Sequence, residues 1–188
     1  MKKILKNTAL KILLVTNSMV LISGAMIAPI YAIFVEKIGG DLLDASFASA
    51  LFAVVAGITT FFSGRISNKM TEDKKVVSLG YLLIASAFFG YTQVESMTTL
   101  LFMQILLGIG ESIYSPPFDA EFSRHLDKGE SASEWGIWES TNYFSSAIGA
   151  LFGGYIATTF GFNTLFIIMG ILSLSSSVYL YFLPKKVL

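Results

Sequence analysis

The sequence predicts an all-α membrane protein with six transmembrane helices, and three observations carry that prediction. Of its 188 residues, 54% are hydrophobic and only 14% charged, against about 25% charged in a soluble domain. The mean hydropathy is +0.67. The charges are clustered, leaving apolar runs near the roughly 20 residues that a helix needs to cross the hydrocarbon core. Lipid offers no partner for backbone N–H and C=O groups, so runs of this kind span as helices.

The chain reads as one domain, 1–188, with spans at about 12–35, 45–64, 76–94, 97–122, 135–160 and 162–183. The first run is too long for the apolar core of a signal peptide and long enough to span. It carries Asn17, Gly24 and Tyr31 seven apart, on one helix face. Gly39-Gly40 makes the turn that follows, and Asp44 is the expected N-cap of the second span. That span is rich in Ala, Ser and Gly, which let membrane helices approach closely. A charged loop, RISNKMTEDKK, precedes the third span, and Glu95-Ser96 precedes the fourth. The loop SRHLDKGESASE leads to the fifth, whose Gly149 and Gly153 form a GxxxG contact face. Gly161 turns the chain into the sixth. Trp135 and Trp138, at the start of the fifth span, read as an interfacial aromatic belt.

Six spans put both termini on one side. The two termini and the loops on their side hold 12 of the 13 Lys and Arg residues, and the opposite loops hold only Lys37. The positive-inside rule places the termini in the cytosol of a cell (inner) membrane protein.

The fourth span carries the chemistry. Gln104, Gly108, Glu111 and Ser115 are spaced by four, three and four, so they share one stripe, which Asp119 continues. A carboxylate at the depth of Glu111 costs about 2.5–3.5 kcal/mol on insertion scales, and such residues are usually functional. The expected role is a substrate contact or a protonatable coupling group. Pro116-Pro117 interrupts the hydrogen-bond ladder and offers a place to bend. No basic residue lies in the spans, which argues against anionic substrates. The absence of cysteine and the single histidine, His125, leave no basis for a disulfide framework, a metal site or a cofactor. No HExxH motif, embedded histidine or aspartate cluster points to an intramembrane enzyme.

The loop after the second span, with Gly64, Asn68 and Lys69, resembles motif A of the major facilitator superfamily, Asn68 standing where the family has aspartate. Ala147 to Ile156 looks like the family's glycine-rich fifth-helix segment, and Leu107 to Gly110 followed by Ser115-Pro116-Pro117 looks like its fourth-helix segment. The family's arginine in that segment falls at Gln104. Members normally have twelve spans, in two halves related by an axis along the membrane normal. The resemblance implies one such half, able to rebuild the fold as a parallel twofold homodimer. It further implies a secondary transporter working by alternating access, with helices one and four lining the cavity. Asn17, Tyr31, Gln104, Glu111 and Ser115 would lie there. A cytosolic gate would form from Arg65, Asn68 and Lys69 against Asp119, Glu121 and Glu139. The expected partners are the bilayer, a small-molecule solute and a second copy, and nucleic acid is not among them. The competing expectation is a non-transporting scaffold or accessory subunit paired with another half.

Overall fold

A computed structural model describes residues 7–67, 73–184 and 187. Within them the structure is helical: α1 (Thr8–Ile27), a 3₁₀ turn (Ala28–Ile30), α2 (Tyr31–Lys37), α3 (Leu42–Ser67), α4 (Asp73–Tyr91), α5 (Met97–Arg124), α6 (Ser131–Phe160) and α7 (Phe162–Phe182). By length and composition, Thr8–Lys37, Leu42–Arg65, Met97–Arg124 and Phe162–Phe182 qualify to cross a membrane. In α4 and α6 the charged start Asp73-Lys74-Lys75 and the Ser, Thr and Gly content dilute the hydropathy. The chain is thus a multi-pass helical membrane protein.

Local chemistry explains where the helices begin and break. Pro29 has no N–H, and the first helix tightens at Ala28–Ile30 before resuming as α2. The second helix starts earlier than the Asp44 cap predicts. Asp41 Oδ1 accepts from the Asp44 N–H at 2.9 Å, and Asp44 Oδ2 accepts from the Asp41 N–H at 3.0 Å. Asp41 therefore caps, and Asp44 supplies the reciprocal bond from the first turn. Ser96 and Thr99 make the same box for α5. Gly161, at φ +84°, adopts the left-handed backbone that lets α6 turn directly into α7.

In the packing, α4 lies against α5 and α7, α3 against α5, and α1 against α6 and α7. The core includes Leu10, Leu13, Tyr81, Phe118, Phe122, Phe166 and Met169. Small residues set the closest approaches. A Cβ added at Gly149 would lie 2.6 Å from the Ile22 carbonyl oxygen, and at Gly153 it would collide with the Met26 backbone. Gly80 and Gly110 hold α4 to α5, and Gly108 rests on the α3 backbone at Phe52. Buried serines tie α7 in: Ser23 and Ser173 hydroxyls are 2.8 Å apart, and the Ser176 hydroxyl donates to the Thr16 carbonyl at 2.9 Å. Ser78 and Ser177 each donate to the other's carbonyl, at 2.8 and 2.7 Å.

These contacts separate glycines that are packed from glycines that are not. Gly149→Leu is expected to destabilise the fold by about 1–3 kcal/mol through overpacking against α1. At Gly154 an added Cβ meets nothing within 4 Å, so Gly154→Ala should not destabilise and, Ala being the better helix former, should stabilise by up to about 1 kcal/mol. Denaturant titration of the detergent-solubilised protein compares the two.

Candidate functional site

Glu111 sits at the centre of α5, beneath two adjoining cavities. The outer one, about 610 Å³, lies between α1, α5 and α6 and is lined by Leu21, Gly24, Glu111, Tyr114, Ser146 and Ala150 among others. The inner one, about 260 Å³, lies within the bundle, against Tyr31, Phe52, Phe88, Tyr91 and Gln104. Val20, Gly24, Ala28 and Glu111 border both. Among the described residues no Lys, Arg or His lines either cavity.

The Tyr114 hydroxyl donates to Glu111 Oε1 at 2.9 Å. Tyr114 is buried and fits because α4 has Gly80 beside it: a Cβ there would lie 2.6 Å from Tyr114 Cβ. The Tyr81 ring packs on Tyr114 at 4.8 Å between centroids, and Asn17 Nδ2 donates to the Tyr81 hydroxyl at 3.0 Å. A polar file thus leads from α1 through α4 to the carboxylate on α5. At the far end of the inner cavity, the Gln104 side-chain amide donates to the Tyr31 hydroxyl.

The residues singled out from the sequence divide accordingly. Gly24, Tyr31, Gln104 and Glu111 come together at the cavities. Asn17 is buried against Tyr81 and lines neither cavity, because at its level α1 meets α4. Ser115 is half-buried and outside both linings, and Gly108 is covered by α3. Tyr114 and Tyr81 were not anticipated. The three-residue spacing of Tyr114 from Glu111 was the available signal, since such pairs meet on a helix.

At the end of the bundle that holds Asn7 and Leu183, the charges pair differently from the expected gate. Arg65 lies over the Phe61 ring at 4.2 Å, while Asp119 and Glu139 are exposed. Among the described residues Arg65 makes no ion pair with either. Instead Arg124 bonds Asp73 on α4 and Glu121 on its own helix, the latter at 2.7 Å. The reason is position: Arg124 is one turn beyond Glu121, and α4 begins beside the end of α5. Both carboxylates are buried, and a buried charge has to be paired; Arg124 is one partner they share. Asn68 and Lys69 lie outside the described residues. The Asn7 side-chain amide donates to the His125 carbonyl at 2.9 Å, fastening the start of α1 to the end of α5. Trp135 and Trp138 differ from the expected belt by packing inward, on Phe122 at 4.9 Å and Phe118 at 6.5 Å between centroids.

Comparison with known proteins follows the same lines as the geometry. The Major Facilitator Superfamily model matches residues 13–187. The proton-coupled antiporter flippase LtaA of Staphylococcus haemolyticus is 26% identical over 144 residues, 73% of this chain and 36% of that protein. The multidrug resistance protein MdtG of Yersinia enterocolitica is 24% identical over 191 residues, 97% of this chain and 45% of its own length. That of Erwinia billingiae is 22% identical, over 93% of this chain and 44% of its length. The chain therefore spans less than half the length of these curated relatives.

The Arg124 cluster generates a stability prediction. Arg124→Ala removes the Arg124 partner from the buried Asp73 and Glu121 carboxylates and is expected to destabilise by about 1–3 kcal/mol. Arg124→Lys should recover part of that loss, because it restores charge without the forked geometry. Thermal unfolding in mild detergent orders the three proteins; equal midpoints for wild type and Arg124→Ala would show that the cluster contributes nothing.

Proposed function

Because the chain belongs to the major facilitator superfamily, a family of transporters, we propose that it is a six-helix half of a secondary active transporter in the cell (inner) membrane. In this reading it works by alternating access as a parallel homodimer, termini in the cytosol, with Glu111 as the ligand-binding and proton-coupling group. The observation that carries it is the position of Glu111 on the border of both cavities, without a basic residue in either lining. A carboxylate so placed suits a cationic or neutral solute and disfavours an anionic one. Coupling to protons is supported by the same group and by the name of the LtaA relative.

A second half is supported by what one half leaves uncovered. Among the helices described, the outer cavity has walls on α1, α5 and α6 only. On α6, the buried side consists of Glu134, Ser145, Gly149 and Gly153, while Tyr143, Phe144, Leu151, Phe152 and Tyr155 are exposed. Alternating access needs two bodies that rock about a shared site. A twofold axis beside the outer cavity would bring two copies of Glu111 towards one another, and their protonation would then belong to the pair.

The mechanism follows from the residues present. The Glu111 carboxyl carries a proton or, once ionised, pairs with a cation, so loading one releases the other. Tyr114 holds Oε1 and fixes the direction in which Oε2 faces. Pro116 and Pro117 lie within α5 just beyond this point, where their missing N–H groups weaken the helix that has to move.

The reading is tested by proton-gradient-driven flux of candidate cations in proteoliposomes. Glu111→Gln should lower flux at least tenfold while protein yield and unfolding midpoint stay at wild-type values. Cross-linking in the bilayer should trap a dimer. A strict monomer with no flux of any solute, unaffected by Glu111→Gln, would support the scaffold reading instead.

A further inference from the structure

The inner cavity differs from the outer one in having no lining residue on α6 among the described residues. Its walls come from α1, α2, α3, α4 and α5. Phe52, Phe88, Tyr91 and Tyr31 supply aromatic faces, and Gln104 with the Tyr31 hydroxyl forms a polar far end. Glu111 stands at the mouth. Its Oε1 is held by Tyr114, and among the described residues Oε2 receives no hydrogen bond.

We propose that the inner cavity is a side pocket for the aromatic group of a cationic ligand whose charged head rests at Glu111. The proposal rests on the reading of Glu111 as a ligand group and adds the chemical class of the ligand. Four observations support it. The carboxyl at the border of the cavity is an anion once it has lost its proton, and among the described residues no Lys, Arg or His in the lining competes with the ligand's charge. Aromatic walls favour a ring in offset or edge-on contact and favour a cation near their faces. An apolar cavity of about 150 Å³ accommodates benzene, so 260 Å³ accommodates one ring or two fused rings and excludes a bulky polycycle.

The fourth observation is Gly24. It borders both cavities, and a Cβ added there meets nothing within 4 Å. Gly149 and Gly153, by contrast, have no space for one. Gly24 therefore keeps open the passage between the head site and the ring site, and a side chain placed there narrows the passage without displacing a helix.

Binding to the full-length chain in nanodiscs tests this with three probes: tetramethylammonium, benzyltrimethylammonium and (2-naphthylmethyl)trimethylammonium. Wild type should bind both aryl cations at least tenfold more tightly than tetramethylammonium. Gly24→Leu should weaken the aryl cations at least tenfold more than it weakens tetramethylammonium, with Gly24→Ala giving a smaller difference in the same direction. Glu111→Gln should weaken all three. Failure of wild type to prefer the aryl cations, or equal weakening of all three by Gly24→Leu, overturns the pocket. If Glu111→Gln still weakens binding in that case, the reading of Glu111 stands. Unchanged binding in Glu111→Gln overturns the reading of Glu111 itself and with it the head-group half of the proposal. Circular dichroism and unfolding midpoints identify any variant that has not folded, and Gly24→Ala then carries the comparison.

Discussion

Hydrocarbon offers no hydrogen bonds, and that constraint organises this bundle around its polar groups. Glu111, at the centre of its helix, has to find its donor inside the protein. Tyr114 is that donor, and accommodating Tyr114 requires a glycine on α4 opposite it. Tyr81 then closes over Tyr114 and needs a partner for its own hydroxyl, which Asn17 on α1 provides. One intramembrane carboxylate thus dictates residue types on three helices. The serine pairs answer the same demand at α7, where Ser23, Ser78, Ser173, Ser176 and Ser177 bond one another or a facing carbonyl. Such bonds average well under 2 kcal/mol each in membrane proteins. Their larger effect is on register, since sliding a helix by one residue would strand several polar groups at once.

The first helix bears the heaviest demands because it presents three faces to three different environments. Thr16 and Ser23 meet α7, Ile22 and Ala25 meet the glycines of α6, and Val20, Gly24 and Ala28 face the cavities. Its break at Ala28–Ile30 re-aims the chain, so that Tyr31 can reach Gln104 across the inner cavity. Glycine serves opposite ends along this helix and its neighbour. On α6 it removes volume so that two backbones can touch; on α1, at position 24, it removes volume so that nothing touches.

Much of this was legible in the sequence, and the limits of that legibility have physical causes. Helix number and type follow from hydropathy and from lipid's intolerance of unpaired backbone, which are properties of each segment alone. The approach of Gln104 and Glu111 follows from helical periodicity, which holds through the whole of α5. The same rule brings Gly24 and Tyr31 to the inner cavity, although beyond the turn at Pro29 it no longer guarantees the phase. Asn17 shows a second limit: periodicity gives a residue's direction, while the helix found in that direction changes with depth. Capping at Asp41 was missed because Asp41 and Asp44 are chemically equal candidates, and only their reciprocal bonds distinguish them.

The charge cluster shows where local reading ends altogether. Arg65 and Arg124 both lie in the last turn of a helix, and both have carboxylates within plausible reach. Sequence spacing favours Arg124 with Glu121 at three residues, but says nothing of Asp73, 51 positions away. That contact exists because α4 and α5 pack along their lengths, which in turn depends on Gly80 and Gly110 letting the helices close. The ion pair at the end of the bundle and the carboxylate at its centre therefore share one cause. Both are positioned by the α4–α5 contact, so a motion that opens this contact would loosen the Arg124 cluster and release Tyr114 from Tyr81 together. Tyr114, on the same helix as Glu111, would keep its reach to the carboxylate but lose the Tyr81 ring packed on it.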